Sequence, residues 1–386
     1  MELTPFRVET DQAELDDLKR RIAATRWPDQ IPGSGWDYGT DGNYLRELCA
    51  YWESTFDWRR VEDDINRWPQ FLTTIDDQRI HFIHARSKEA GATPLLLCHG
   101  WPGSVLEFMK MIGPLTDPVA HGGTAADAFH VVCPSLPGYA WSGPTTEAGW
   151  DTKRIAAAFA ELMTGLGYDR FGAQGGDWGS AVSVRLAQDF PERMIGIHIN
   201  MVTTSGPQPE DGELTAEESE FVAEAQRYSP AEEGYIAIQS TKPQTIAYAL
   251  NDSPAGLAAW IVEKFRKWTD CDGDVEKALT RDEILAGVTA YWLTQTAGSS
   301  GRLYYEAFKA MTIPPPPTRI ELPVGCAIFP KELYQSSRRQ AERHYNVQRW
   351  ANLPRGGHFA ALEQPELLTG EIRAFFGALR TASTSS

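Results

Sequence analysis

The stretch Gly175-Gly176-Asp177-Trp178-Gly179 follows a short strand-like segment, FGAQ, and precedes a helix-like one, SAVSVRLAQDF. A strand, a sharp glycine-rich turn and a helix in this order are typical of a nucleophile elbow, which holds its central side chain out at the carboxyl end of a sheet. The central residue here is Asp177, and no serine in the chain stands at the centre of a G-x-S-x-G motif. The pattern therefore predicts a carboxylate nucleophile.

Short apolar runs with helix-like stretches between several of them surround the elbow. Before it come PLLLC and FHVVCP, after it comes MIGIHIN, and PVGCAIF and NVQRW follow much later in the chain. Strands that are buried on both faces of a parallel sheet read as such continuous apolar runs. The sequence thus predicts an α/β fold with a mostly parallel sheet.

The alternation of strands and helices is interrupted, which divides the chain into four segments. Residues 1–90 are rich in Trp and Arg and are predicted to be a docking arm, followed by the first part of the core at 91–205. A long helical insertion is predicted at 206–312. The proline run in TIPPPPTRIELP cannot be helical, and it leads back into the second part of the core at 313–386.

Composition excludes several kinds of partner. The formal charge of -16 repels nucleic acid and anionic lipid, and the N-terminus lacks the basic start and apolar stretch of a signal peptide. Five widely spaced cysteines fit a reducing compartment, and neither the cysteines nor the histidines have metal-site spacing. These features predict a cytoplasmic protein that binds no metal, nucleic acid or membrane.

A carboxylate nucleophile forms an ordinary ester, so the chain also needs a base to activate water. His358 is the candidate, because it lies in the turn sequence Arg355-Gly356-Gly357-His358-Phe359 just beyond the NVQRW strand. Two glycines leave this turn free to present the imidazole. Asp177 and His358 are therefore predicted to act in succession.

The base in turn needs an acid that fixes its tautomer and stabilises the imidazolium. Glu332 follows the PVGCAIF strand and gives the chain order nucleophile, acid, histidine. Glu321 precedes that strand, and Glu363 lies beyond the histidine on a predicted helix. Glu332 is therefore preferred to these two competitors.

The turn His99-Gly100-Trp101-Pro102 follows the buried PLLLC strand. A loop at this place can direct a backbone amide at a developing oxyanion. The amides of Trp101 and of Trp178, which follows the nucleophile, are predicted to form the oxyanion hole.

At these residues the chain resembles the epoxide hydrolases, and among them the microsomal and juvenile-hormone type. The resemblance covers nearly the whole chain and rests on several motifs in a fixed order: TPFRV, TRWPD, HGWPGS, PSLPGYAWS, GGDWGS, TKPQTIAYALNDSPAGLAAWIVEKF, FPKEL and RGGHFAALEQPE. It implies an α/β-hydrolase core with an eight-stranded sheet, a helical lid after the sixth strand, and an arm that wraps core and lid. It also implies a cis peptide bond between Trp101 and Pro102.

The resemblance further implies that two lid tyrosines hold the epoxide oxygen. Tyr235 and Tyr304 match those positions, with Tyr305 as the alternative to the second. A phenol can hydrogen-bond to the alkoxide that forms on ring opening and can donate its proton to it.

The expected activity is the conversion of a small-molecule epoxide and water to a vicinal diol without a cofactor. A haloalkane dehalogenase, which would bind halide with indole or amide donors, is disfavoured by the tyrosine pair and the arm. A binding protein with a vestigial pocket is disfavoured because every catalytic role has a residue. The sequence does not choose between detoxification and natural-product biosynthesis, and a homodimer is a further expectation.

Overall fold

Aliphatic runs that the sequence marks as strands form the centre of the molecule. A computed structural model describes residues 1–209, 212–313, 315–316 and 318–384. Pro314 and Pro317 of the predicted linker lie outside these residues. Within the described chain, nine strands form a single sheet: β1 Thr4–Phe6, β2 Gln70–Ile75, β3 Gln78–Ala85, β4 Thr93–Cys98, β5 Phe129–Pro134, β6 Phe171–Gly175, β7 Met194–Ile199, β8 Ile320–Ile328 and β9 Tyr345–Asn352.

The order of the strands is β1-β2-β3-β5-β4-β6-β7-β8-β9. β5, β4, β6, β7, β8 and β9 run parallel, whereas β1, β2 and β3 pair antiparallel. The predicted mostly parallel sheet is present, but it has nine strands and not eight. The additional strand is β1 of the arm, in which Pro5 pairs with Phe71.

Helices cover the sheet and form the lid. Their bounds are α1 Gln12–Ala23, α2 Gly42–Ser54, α3 Trp58–Ile65, α4 Met109–Thr116, α5 Thr152–Gly165, α6 Asp177–Asp189, α7 Ala216–Glu232, α8 Gly234–Gln239, α9 Pro243–Leu250, α10 Pro254–Trp268, α11 Arg281–Thr294, α12 Ala297–Ala310, α13 Arg338–Glu342, α14 Ala360–Glu363 and α15 Pro365–Thr384. The lid helices α7 to α12 all lie between β7 and β8. No helix in the described part of the chain is long and apolar enough to cross a bilayer.

The arm is joined to both the sheet and the lid. β2 and β3 lie within residues 1–90 and belong to the main sheet, so the arm is not a separate layer. On the lid side, the buried indole of Trp52 in α2 donates to Thr289 Oγ1 in α11 at 2.9 Å. Burying a side chain of this size contributes roughly 2 to 3 kcal/mol. The arm therefore holds the lid in place over the core.

The topology brings distant parts of the chain together at one edge of the sheet. β4, β6, β8 and β9 are parallel members of the sheet, so the turns that follow them all lie at their carboxyl ends. In open α/β sheets, ligands bind at this edge. The turns after these four strands carry the predicted oxyanion turn, nucleophile, acid and histidine.

Candidate active site

Asp177 is the first residue of α6 and directly follows the turn after β6. Its φ of 49° lies in the left-handed region, which a non-glycine residue occupies only at a cost in free energy. The carboxylate also lies at the N-terminus of α6, where the helix dipole favours negative charge. The strained turn and the helix end together present the Asp177 side chain at the edge of the sheet.

His358 lies between two carboxylates. Its Nε2 is 3.3 Å from Asp177 Oδ2, and its Nδ1 is 2.6 Å from Glu332 Oε1. The side chains of His358 and Glu332 are almost completely buried, whereas that of Asp177 is 15% exposed. The predicted nucleophile, base and acid therefore lie together in the order that the sequence indicated.

The pKa of His358 reflects this position. Burial alone would lower this pKa. The negative charge of Glu332, the hydrogen bonds that Asp177 and Glu332 make to the ring, and the charge of Asp177 together outweigh burial, and the pKa lies well above its ordinary range. In the free enzyme the imidazole is therefore protonated. A change in the charge of either carboxylate changes the basicity of the ring.

The two competing carboxylates have other partners. Glu321 is exposed and pairs with Arg319. Glu363 accepts backbone N–H groups of Gly357 and Phe359, both at 3.0 Å, and of Asp270 from the lid at 2.8 Å. Burial raises the pKa of Glu363 to about 7. Glu363 thus supports the histidine turn from behind without touching the imidazole.

The turn after β4 lies against the other carboxylate oxygen of Asp177. The backbone N–H of Trp101 donates to Asp177 Oδ1 at 2.8 Å, and the peptide bond from Trp101 to Pro102 is cis, as the resemblance implied. A Cβ atom at Gly100 would lie 2.2 Å from the same Oδ1, so only glycine admits the carboxylate there. Trp178 follows Asp177 in the first turn of α6.

His99 supports this turn from inside the protein. Its Nε2 accepts the backbone N–H of Leu136 at 3.1 Å, so the proton lies on Nδ1, which donates to the Gly100 carbonyl at 2.9 Å. Burial lowers the pKa of His99 to about 4. His99 is therefore a neutral, fixed hydrogen-bonding group that holds the turn.

Two lid tyrosines face the turn that carries Asp177. Tyr235 stacks on Trp101 at a centroid distance of 5.1 Å, and Tyr304 packs edge-on against Trp178 at 4.8 Å. Burial raises the pKa of both phenols well above the usual value, so both carry their protons. Tyr305, the alternative to Tyr304, is exposed and lies near Lys309 on the outer face of α12.

Two interactions at the site have no clear sequence signal. The backbone N–H of His358 donates to the carbonyl of Trp268 in the lid at 2.8 Å, and the ring of Trp268 packs against the imidazole. Glu107, in the short turn before α4, lines a small cavity beside Asp177 and His358. A backbone contact and a single glutamate five residues after the cis proline could not be picked out from residue types alone.

The fold, the elbow and the close contact of Asp177, His358 and Glu332 define an α/β-hydrolase enzyme with a carboxylate in the nucleophile's position. Comparison with known families agrees with this class. Residues 3–108 match the family described as epoxide hydrolase N terminus, and residues 93–235 match the α/β-hydrolase fold family.

Relatives match over almost the full length. A Stigmatella aurantiaca protein that bears an epoxide hydrolase name is 48% identical, over 98% of this chain and 86% of its own. Epoxide hydrolase 1 of Sus scrofa is 38% identical, over 98% of this chain and 89% of its own. The crystal structure of the Bombyx mori juvenile hormone epoxide hydrolase superposes with a TM-score of 0.91 at 30% identity, covering 99% of this chain and 96% of that one. The chain belongs to the epoxide hydrolase family.

Proposed function

We propose that this epoxide hydrolase works through a covalent ester on Asp177, which water activated by His358 then hydrolyses. The observation that carries the proposal is the different setting of the two Asp177 oxygens. Oδ1 accepts the Trp101 amide N–H, whereas Oδ2 faces the imidazole of His358. One oxygen is thus held where an oxyanion forms, and the other is available to attack carbon.

In the first step, Asp177 Oδ2 forms a bond to one ring carbon of the epoxide, and the bond from that carbon to the ring oxygen breaks. The electron pair moves to the oxygen, which takes a proton from Tyr235 or Tyr304. Both phenols are protonated and packed against the tryptophans on either side of Asp177, which supports this role. The aromatic walls favour an epoxide with apolar substituents.

Formation of the ester changes the basicity of His358. The charge of Asp177 helps to raise the pKa of the imidazole, and this charge disappears when the carboxylate becomes an ester. The pKa of His358 then falls, and the imidazolium gives its proton to the phenolate that ring opening has left, which restores the phenol. The base is therefore activated by the first step of the reaction itself.

In the second step, His358 Nε2 takes a proton from water, and the water oxygen attacks Asp177 Cγ. Negative charge develops on Oδ1, where the Trp101 amide and, in this proposal, the Trp178 amide stabilise it. The Cγ–Oδ2 bond breaks, and the diol leaves with Oδ2 and the proton from His358. The proton that remains on the new carboxyl group passes to His358, which restores the carboxylate and the imidazolium of the free enzyme.

The proposal is tested by rapid quenching. Enzyme in excess is mixed with styrene oxide and stopped in acid within milliseconds, and the peptide that contains Asp177 is weighed by mass spectrometry. We expect a transient fraction of this peptide to gain the full mass of the epoxide. If diol forms while no peptide ever gains that mass, the covalent route is wrong.

The two tyrosines give a first prediction. We expect Tyr235→Phe and Tyr304→Phe each to slow ester formation by about 10- to 100-fold, because each removes one donor from the developing alkoxide. Ester hydrolysis should change little. Stopped-flow tryptophan fluorescence separates the two steps. The matched control is Tyr305→Phe, which changes an exposed tyrosine next to Tyr304 on α12.

A second prediction concerns Glu332. Its charge raises the pKa of His358, so Glu332→Gln should lower that pKa. Since the imidazole acts as a base only above its pKa, the acidic limb of the pH profile for ester hydrolysis should move to lower pH. We expect the maximal rate to fall by about 100-fold, because the orienting acid contributes less than the nucleophile or base. A limb that moves to higher pH would contradict the assignment.

A further inference from the structure

A small cavity lies behind the nucleophile. It has a volume of about 20 Å³, and its walls include Asp177, His358, Glu107, Gln174 and Asn200. A cavity of this size has room for about one water molecule, provided that polar groups can bind it. We call this space the inner cavity.

The polar wall of the inner cavity has unused hydrogen-bonding capacity. Gln174 is almost completely buried, and its amide nitrogen donates to Asn200 Oδ1 at 2.9 Å. Its Oε1 atom has no hydrogen-bond partner among the residues that the structure describes. A buried acceptor of this kind normally bonds to protein or to ordered water, so the wall favours a small polar guest.

A second and larger cavity of about 420 Å³ lies between the arm, the core and the lid. Arg60 of α3, Lys110 of α4 and Glu283 of α11 are among its walls, and we call it the outer cavity. Of the described residues, Glu107 alone lines both cavities. Its side chain therefore separates the space beside the nucleophile from a space that opens toward solvent.

The turn before Glu107 leaves room for its carboxyl group. A Cβ atom at Gly103 would lie 1.3 Å from Glu107 Oε1, so any larger residue there would displace this carboxyl group from its position. The carbonyl of Gly103 is held in turn by the hydroxyl of Tyr291 at 2.8 Å. The position of the Glu107 carboxyl group is thus built into the turn that also carries the Trp101 amide.

We propose that Glu107 is a water-positioning residue that binds, in the inner cavity, the water that hydrolyses the Asp177 ester. This inference rests on the proposed covalent mechanism. The carboxyl group of Glu107 hydrogen-bonds the water, His358 Nε2 takes its proton, and its oxygen attacks Asp177 Cγ. The outer cavity supplies the next water past the same side chain while the substrate is bound to Asp177.

The protonation of Glu107 fits this role. Burial and the nearby charge of Asp177 raise the pKa of its carboxyl group to about 8, although His358 opposes the shift. The group is therefore mostly protonated at neutral pH. A neutral carboxyl group can donate one hydrogen bond and accept others, and a glutamine amide can do the same.

Two substitutions of similar size test the proposal. We expect Glu107→Leu, which fills the space but cannot bond water, to slow ester hydrolysis by about 10- to 100-fold, since a misplaced reactant costs this much. Ester formation should stay within about 3-fold of the parent enzyme. Glu107→Gln should restore most of the hydrolysis rate. Both rates are measured by stopped-flow fluorescence and rapid-quench mass spectrometry, with thermal unfolding as a check on folding.

A space-filling role for Glu107 predicts a different pattern. In that case Glu107→Leu and Glu107→Gln would have the same rates, or ester formation and ester hydrolysis would slow together. Either result overturns the proposal. Gly103→Ala displaces the carboxyl group without removing it, so it should slow hydrolysis in the parent enzyme but add little to Glu107→Leu. The matched control is Asp64→Asn, which also replaces a carboxylate by an amide. Asp64 lines only the outer cavity, so this variant should leave both steps unchanged.

The same measurements distinguish this inference from the mechanism on which it rests. His358→Gln should accumulate ester if the covalent route is correct. If ester accumulates in His358→Gln but Glu107→Leu hydrolyses it at the normal rate, the role of Glu107 is wrong and the covalent mechanism stands. If no ester forms in His358→Gln while diol is still produced, the covalent mechanism itself fails.

Discussion

Asp177→Asn should lower the rate of diol formation by at least about 10⁴-fold, because the amide oxygen is a poor nucleophile. Folding should be preserved. The amide is isosteric with the carboxylate, and its oxygen can still accept the Trp101 N–H. The measurement is steady-state diol formation from styrene oxide, compared with thermal unfolding of the same preparation.

Deamidation of the new asparagine would restore Asp177, so the intact mass is checked before and after each assay. Asp177→Ala, which cannot revert, should be equally inactive. Activity of this variant near the parent level would mean that water attacks the epoxide directly and that the ester is not on the pathway.

His358→Gln should separate the two steps. Attack by Asp177 needs no base, so ester should still form, whereas hydrolysis should slow by about 10³-fold without a group to deprotonate water. The enzyme should then give one burst of ester per active site and almost no further diol. Rapid quenching and peptide mass spectrometry follow the ester directly.

The control for this variant is His121→Gln, which changes an exposed histidine far from the elbow in sequence. It should show neither the burst nor the loss. Continued diol production by His358→Gln at the parent rate would assign the base to another residue.

The positions of Asp177, Glu332 and His358 could be predicted from sequence because each one follows a recognisable strand. In a parallel sheet, the carboxyl ends of strands meet at one edge, so the turns after β6, β8 and β9 had to lie near one another. The elbow supplied the strongest local signal, because its glycines are required by the sharp turn at Asp177. The choice of Glu332 over Glu321 and Glu363 followed from its place after β8.

Other features depend on packing that local sequence does not encode. Tyr304 and Tyr305 are neighbours on α12. The way this helix packs on the core directs Tyr304 toward Trp178 and Tyr305 toward solvent. Successive side chains on a helix point about 100° apart, and the sequence alone left both possible.

The ninth strand and the inner cavity were also beyond local reasoning. β1 has three residues, and its pairing with β2 depends on the arm being folded against the sheet. Glu107 is a single acidic residue in the mostly apolar stretch VLEFM, and its placement between two cavities results from the turn at Gly103, the elbow and the arm together. Such features require contacts between residues far apart in the chain.

One measurement tests the covalent route most directly. Enzyme in excess of epoxide is allowed a single turnover in water enriched in ¹⁸O, and both the diol and the peptide that contains Asp177 are weighed. If the ester is cleaved at Asp177 Cγ, the solvent oxygen enters the Asp177 carboxylate and the first diol carries no label. Label in the diol together with an unlabelled Asp177 peptide would contradict the account.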